Sequence, residues 1–203
     1  MKGMRGQPIR AGTRGQRSDA CRNHEQIIRA ATELLAASPG AGMDELTAAT
    51  GLGRTTVYRH FHAREQLVAE VYATAFSGTQ RLVAEAGLQT CPQDELLDRA
   101  VAVAMRAVQI YPVLVNGPGL NQDTVTGSAE SGYGACLDEL AGPMARAQEA
   151  GLLDPALPPR WLAGVLLNDC VGAVLFSAEL RDSRLGPAEL VRLAFARAWA
   201  API

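Results

Sequence analysis

The chain has 203 residues, of which 48% are apolar and 20% charged, and its net charge is −2. A composition this apolar can bury a core, which excludes wholesale disorder. Ala and Leu dominate the apolar set and long period-two Val/Ile/Thr runs are missing, which excludes an all-β fold.

Charge is unevenly spread. Residues 1–65 carry a local net of +4, and the remainder carries −6. A basic head on an acidic body suggests a polyanion-binding N-terminus, although a solubilising tail would look the same. Four scattered cysteines, Cys21, Cys91, Cys136 and Cys170, include no CxxC pair, which argues against a disulfide framework or zinc cluster. The basic N-terminus is not followed by an apolar signal region. The longest apolar run, Trp161–Leu180, holds Asn168 and Asp169 at its centre, where lipid would make them costly. A cytoplasmic protein with no membrane partner is expected.

Residues 1–22 read as a disordered basic arm, rich in Gly, Arg and Gln. Ile27, Ile28, Ala31, Leu34 and Leu35 form an amphipathic stripe that predicts a helix over 23–37, stopped by Ser38-Pro39-Gly40. Met43–Thr50 is a short helix ended by Gly51-Leu52-Gly53, and Arg54–His60 follows at once as another. A longer helix starts near Ala63 and runs towards Gly87. Further helices are predicted over 93–109, 129–150, 160–181 and 187–199. Residues 116–128 form a turn-rich loop that could hold a short helix.

The segment 43–67, MDELTAATGLGRTTVYRHFHAREQL, carries the chemistry. A helix, a tight glycine turn and a second helix form a helix-turn-helix. At 100° per residue, Val57 and Phe61 share one face and point to a core. Thr55 and Arg59 lie opposite, with Thr56 and His60 on one flank and Arg54 and Tyr58 on the other. A helix of this width fits the major groove of B-DNA. Arg54 and Arg59 can present paired donors to guanine or clamp phosphates. Thr55 and Thr56 can reach bases or phosphates, Tyr58 and His60 can bond phosphate oxygens, and Arg64 can reach the backbone.

These residues resemble the N-terminal domain of the TetR family of transcriptional regulators. The likeness rests on Gly51-Leu52-Gly53-Arg54-Thr55-Thr56-Val57-Tyr58-Arg59-His60-Phe61 and Arg64-Glu65-Gln66-Leu67, and covers about 23–70. It implies that Arg54, Thr55 and Tyr58 reach bases, and that Thr56, Tyr58, Arg59, His60 and Arg64 hold phosphates. There are departures. Gly53 replaces the family's serine N-cap, Gly42 replaces a threonine before the second helix, and Arg64 replaces a lysine. Asp44 stands where some members place a base contact; a carboxylate there suits the helix dipole but repels phosphate.

The expected fold is all-α. An N-terminal three-helix DNA-binding domain (23–70) with a helix-turn-helix precedes a helical-bundle domain (71–203) for ligand binding and dimerisation. The family likeness implies both of those jobs. Trp161–Leu180 is apolar nearly all round and so must be covered on two sides, either within one chain or by a partner. With Leu190, Val191, Ala194, Phe195, Ala198 and Trp199 of the last helix, it suggests a homodimer through the last two helices. Candidates for an effector site are Met105, Tyr111, Tyr133, Cys136, Trp161, Asn168, Asp169 and Phe176. Asn168 and Asp169 need polar partners, whether an effector, a cross-dimer bond or a local backbone bond. An ionised Asp169 would favour a cationic or hydroxylated ligand.

No catalytic set is evident, because all three histidines lie in the first 62 residues. No cofactor and no metal are expected. The function implied is a one-component regulator that a small-molecule effector releases from a palindromic double-stranded DNA operator. The alternatives are an enzyme on a helical scaffold and a sequence-indifferent DNA-binding protein.

Overall fold

The computed structural model describes residues 12–116 and 132–201. Among these residues the fold is all-α. The helices are α1 (Gly12–Ala37), α2 (Met43–Ala49), α3 (Arg54–His60), α4 (Arg64–Glu85), α5 (Leu96–Ile110), α6 (Val113–Asn116), α7 (Gly132–Glu149), α8 (Pro159–Leu175) and α9 (Pro187–Ala198), with short 3₁₀ turns at Gln93–Glu95 and Glu179–Asp182.

α1 begins at Gly12, eleven residues before the expected start, so residues 12–22 are helical rather than irregular. The added turns carry no apolar stripe, and periodicity could not reveal them. Extending a helix already nucleated by the packed 27–35 face fixes one residue per added bond, which is far cheaper than nucleation. Arg22 also pairs with Asp19 one turn away. Residues 1–11 of the expected arm and 117–128 of the expected turn-rich loop lie outside the described residues.

The first four helices close around Ile27, Leu35, Leu46, Val57, Leu67 and Val71. Glu45 accepts a 2.7 Å hydrogen bond from the Gly42 N–H, the N3 half of a capping box, and so helps to start α2. Gly51, at φ +68°, supplies the left-handed residue that ends the helix. Thr50 Oγ1 accepts from the Leu52 N–H at 3.0 Å, and Gln26 of α1 donates to the Thr50 carbonyl at 2.8 Å. The turn is therefore held from below as well as by its own backbone.

The body is a second apolar cluster built from α4, α5, α7, α8 and α9, with Leu96, Leu140, Met144, Leu162, Leu166 and Phe195 almost wholly enclosed. α4 serves both clusters. Its Leu67, Val71 and Ala75 pack in the head, and its Phe76 and Val83 pack in the body. Val113 of α6 returns to the head cluster, and Tyr72 donates to its carbonyl at 3.4 Å. Arg146 of α7 ties down the α4–α5 connection by donating to the carbonyls of Leu88 and Cys91.

α8 stops at Leu175, six residues before the expected end. Its last enclosed side chain is Ala173, and beyond it Leu175 and Phe176 are 52% and 61% exposed. With no face left to bury, the segment tightens into 3₁₀ geometry.

Tyr111, just past α5, lies directly on Gly78 of α4. A Cβ built on Gly78 would sit 1.9 Å from Tyr111 Oη and 2.3 Å from Cζ. Gly78→Ala is expected to cost about 1–3 kcal/mol despite alanine's better helix propensity. Thermal unfolding should show a midpoint lower by several degrees, and Tyr111→Ala in the same chain should remove most of the penalty.

Candidate nucleic-acid interface

α3 has seven residues and no side-chain cap. Such a helix is unstable alone. Val57 (0% exposed) and Phe61 (5%) hold it down, which turns the rest of its surface outward. Arg54, Thr55 and Arg59 are exposed, and Thr56 and Tyr58 are half-buried. These five expected contact residues share the outward side of one helix.

Arg54 is not free on that side. Its Nη2 lies 3.0 Å from Asp44 Oδ1 of α2 and donates to Tyr58 Oη at 3.3 Å. Its Cζ is 5.1 Å from the Tyr58 ring centroid, a cation–π approach. Tyr58 Oη donates in turn to Asp44 at 3.5 Å. Sequence reading noted Asp44 for its charge but missed this pairing, since the two residues are brought together only by the crossing angle of α2 and α3.

His60 and Arg64 are placed differently from expectation. His60 turns inward, with Nε2 buried and without a hydrogen-bond partner. Its ring lies 5.8 Å from that of His24 and 6.5 Å from that of Phe61. Burial first, then His24 and Arg59, lowers its pKa below the ordinary histidine value. The neutral ring is favoured. Arg64 points back under the head. Its Nε and Nη2 donate to the carbonyls of Ala41 and Pro39 at 2.7 and 2.8 Å. The positive charge at the start of α4 thus closes the α1–α2 loop.

The expected effector residues scatter. Tyr133, Cys136 and Asn168 line one cavity between α4, α5, α7 and α8, together with Tyr72, Phe76 and Thr79 of α4, which were not among the expected effector residues. Its volume is about 40 Å³, room for a few waters. Met105 is buried in the body core. Tyr111 borders a separate open groove of about 590 Å³ between α1, α4 and the end of α5. Trp161 stacks edge-on with Trp199 at 4.8 Å and is 45% exposed, and Phe176 faces solvent. Asn168 is exposed and Asp169 half-buried, so neither sits sealed in an apolar helix. Asp169 is absent from the cavity wall, which removes the reason for a cationic ligand there. Its own pKa is raised by burial.

Burial also pushes the Cys136 and Cys170 thiols up to about 12, which suppresses the reactive thiolate. Among the described residues no group of His, Cys, Asp and Glu could hold a metal ion, and no helix is long and apolar enough to cross a membrane.

The arrangement defines an all-helical protein whose N-terminal helix-turn-helix is carried on a helical bundle. Residues 27–71 match the family described as bacterial regulatory proteins, tetR family. The fold is similar to that of the TetR-like transcriptional regulator LfrR from Mycobacterium smegmatis in complex with proflavine, at 18% identity and a TM-score of 0.70 over 91% of this chain and 99% of that one. It is also similar to regulatory protein TetR from Rhodobacter sphaeroides (20%, 0.67, 88% and 99%) and to reduced Escherichia coli NemR (18%, 0.64, 89% and 98%). No curated protein matches the chain. Residues 27–71 are thus a TetR-family helix-turn-helix domain on a chain with the all-helical fold of TetR-like regulators.

Replacing Arg64 tests its assignment. Arg64→Ala removes two charged hydrogen bonds to half-buried carbonyls and is expected to destabilise the fold by about 2 kcal/mol. Denaturant unfolding should show an earlier midpoint with an unchanged slope, and Arg64→Lys should recover only part of it. An unchanged midpoint would contradict the structural role.

Proposed function

We propose that this protein is a one-component DNA-binding transcriptional regulator, acting as a repressor that a small-molecule effector releases from a palindromic operator. The observation that carries the reading is the outward face of α3. Arg54, Thr55 and Arg59 stand in solvent while Val57 and Phe61 bury the opposite side. Every outward position can hydrogen-bond, and the helix is narrow enough for the major groove.

The operator is read by a dimer. Trp161, Leu175 and Phe176 leave a large apolar area uncovered along α8, and Trp199 beyond α9 packs at its edge. A second copy of the same face covers it with twofold symmetry, forming a four-helix contact through the last two helices. Two heads then meet half-sites about 34 Å apart, or a multiple of that.

The effector enters the cavity bordered by Tyr72, Phe76, Tyr133, Cys136 and Asn168. At about 40 Å³ it is far below the ~300–1,000 Å³ of typical ligand sites, so binding must open it. The lining is mostly apolar, with Tyr133, Thr79 and Asn168 as polar points. That suits an apolar effector with one or two hydrogen-bonding groups. LfrR, whose structure contains proflavine, offers a precedent of a bound small molecule in this fold. Full switching from 99:1 to 1:99 requires about 5.5 kcal/mol of differential affinity between the two dimer geometries.

In vitro selection of duplexes from a random pool tests the whole reading: a palindromic consensus is expected, and equal affinity for random and selected duplexes would overturn it. On the selected operator, Arg59→Ala should weaken binding and reduce the salt slope by about one, with helicity and dimer mass unchanged. Phe176→Asp, which places a charge in the uncovered α8 face, should shift the protein from dimer to monomer in sedimentation and lower operator affinity together.

A further inference from the structure

We propose that Asp44 is a specificity-determining positioning residue that holds Arg54 ready for one guanine in each half-site. The proposal rests on the DNA-binding reading above and names a residue of that same site.

A carboxylate on a surface that must approach a polyanion repels it. Asp44 is nevertheless placed there, with its side chain 73% exposed. Its first-turn position suits the dipole of α2, but the capping bond there is made by Glu45 to the Gly42 N–H. Stability does not explain it either, since an exposed ion pair contributes little. What Asp44 does is bind Arg54 Nη2 at 3.0 Å. It draws the guanidinium across from α3 to α2 and over the Tyr58 ring.

This contact commits one of the two Nη2 protons. The other meets only the long 3.3 Å contact to Tyr58 Oη, which a better acceptor displaces. Together with an Nη1 proton it forms the pair of parallel donors that matches guanine O6 and N7. Thymine and adenine each offer a single major-groove acceptor at that edge, so they satisfy only half of the fork. A mobile arginine could turn to a phosphate or re-aim at another base. One tied to α2 cannot do so without breaking its carboxylate pair. Restricting the rotamer before binding also lowers the ordering cost for the correct base.

The test is in vitro selection with the full chain in four forms: parent, Asp44→Ala, Asp44→Glu and Arg54→Ala. The parent should enrich guanine at one position of each half-site, and Arg54→Ala should abolish that preference. Asp44→Ala should lower it at least about fivefold, leave the other positions unchanged and bind unrelated duplexes more tightly. Asp44→Glu, which retains the carboxylate, should restore the preference in part. Adding Asp44→Ala to Arg54→Ala should change nothing further at that position.

An undiminished guanine preference in Asp44→Ala overturns the proposal. So does a preference for cytosine that depends on Asp44 but survives Arg54→Ala, which would make the carboxylate a direct base contact. Loss of preference at every position also overturns it, since that is the mark of a disturbed head. If the parent enriches no sequence at all, the DNA-binding reading itself fails and the proposal falls with it.

Discussion

The structure depends on a two-residue seam. Val57 of α3 and Phe61 just after it enter the head core, and a seven-residue helix is unstable without such packing. Because the seam uses only one face, Arg54, Thr55 and Arg59 are left to solvent. Its foundation is built from several directions: Ile27 and Leu35 of α1, Leu46 of α2, and Leu67 and Val71 of α4. The Gln26 bond to Thr50 and the Arg64 bonds to Pro39 and Ala41 then lock the connections. Hydrogen bonds to loop carbonyls fix the connections before and after α2, and apolar packing holds α3 in place.

The same constraint joins head to body. α4 is a single helix with Leu67 and Val71 in one core and Phe76 and Val83 in the other. Its Tyr72, Phe76 and Thr79 line the small cavity. On the proposed reading, a ligand that widens the cavity must push on α4, and packed helices yield as rigid bodies rather than deform smoothly. Val113 and the Tyr72 bond to its carbonyl add a second tie between the two cores.

Much of the head was legible in the sequence. The 27–35 stripe, the glycine turn and the Val57/Phe61 spacing are local patterns, and each appears in the structure where the pattern places it. The inward turn of His60 and the use of Arg64 were not legible. Both residue types suit phosphate contact, and what orients them otherwise here is the proximity of His24 in one case and of two loop carbonyls, 23 and 25 residues away, in the other. The N-terminal extension of α1 escaped for a different reason, because a solvated polar helix has no apolar period to detect.

The body was readable as helices but not as a site. Tyr133, Cys136 and Asn168 meet at one cavity, whereas Met105, Trp161 and Phe176 of the same expected set point elsewhere. Periodicity states which face of a helix is apolar; it does not state whether that face meets a core, a cavity or open solvent. Short-range order along the chain was therefore enough for the all-helical class and the outward polar face of α3. The Asp44–Arg54–Tyr58 cluster, the small cavity and the exposed apolar side chains of Trp161 and Leu175 on α8 arise only when helices distant in sequence cross, because each depends on distances that no spacing along one helix contains.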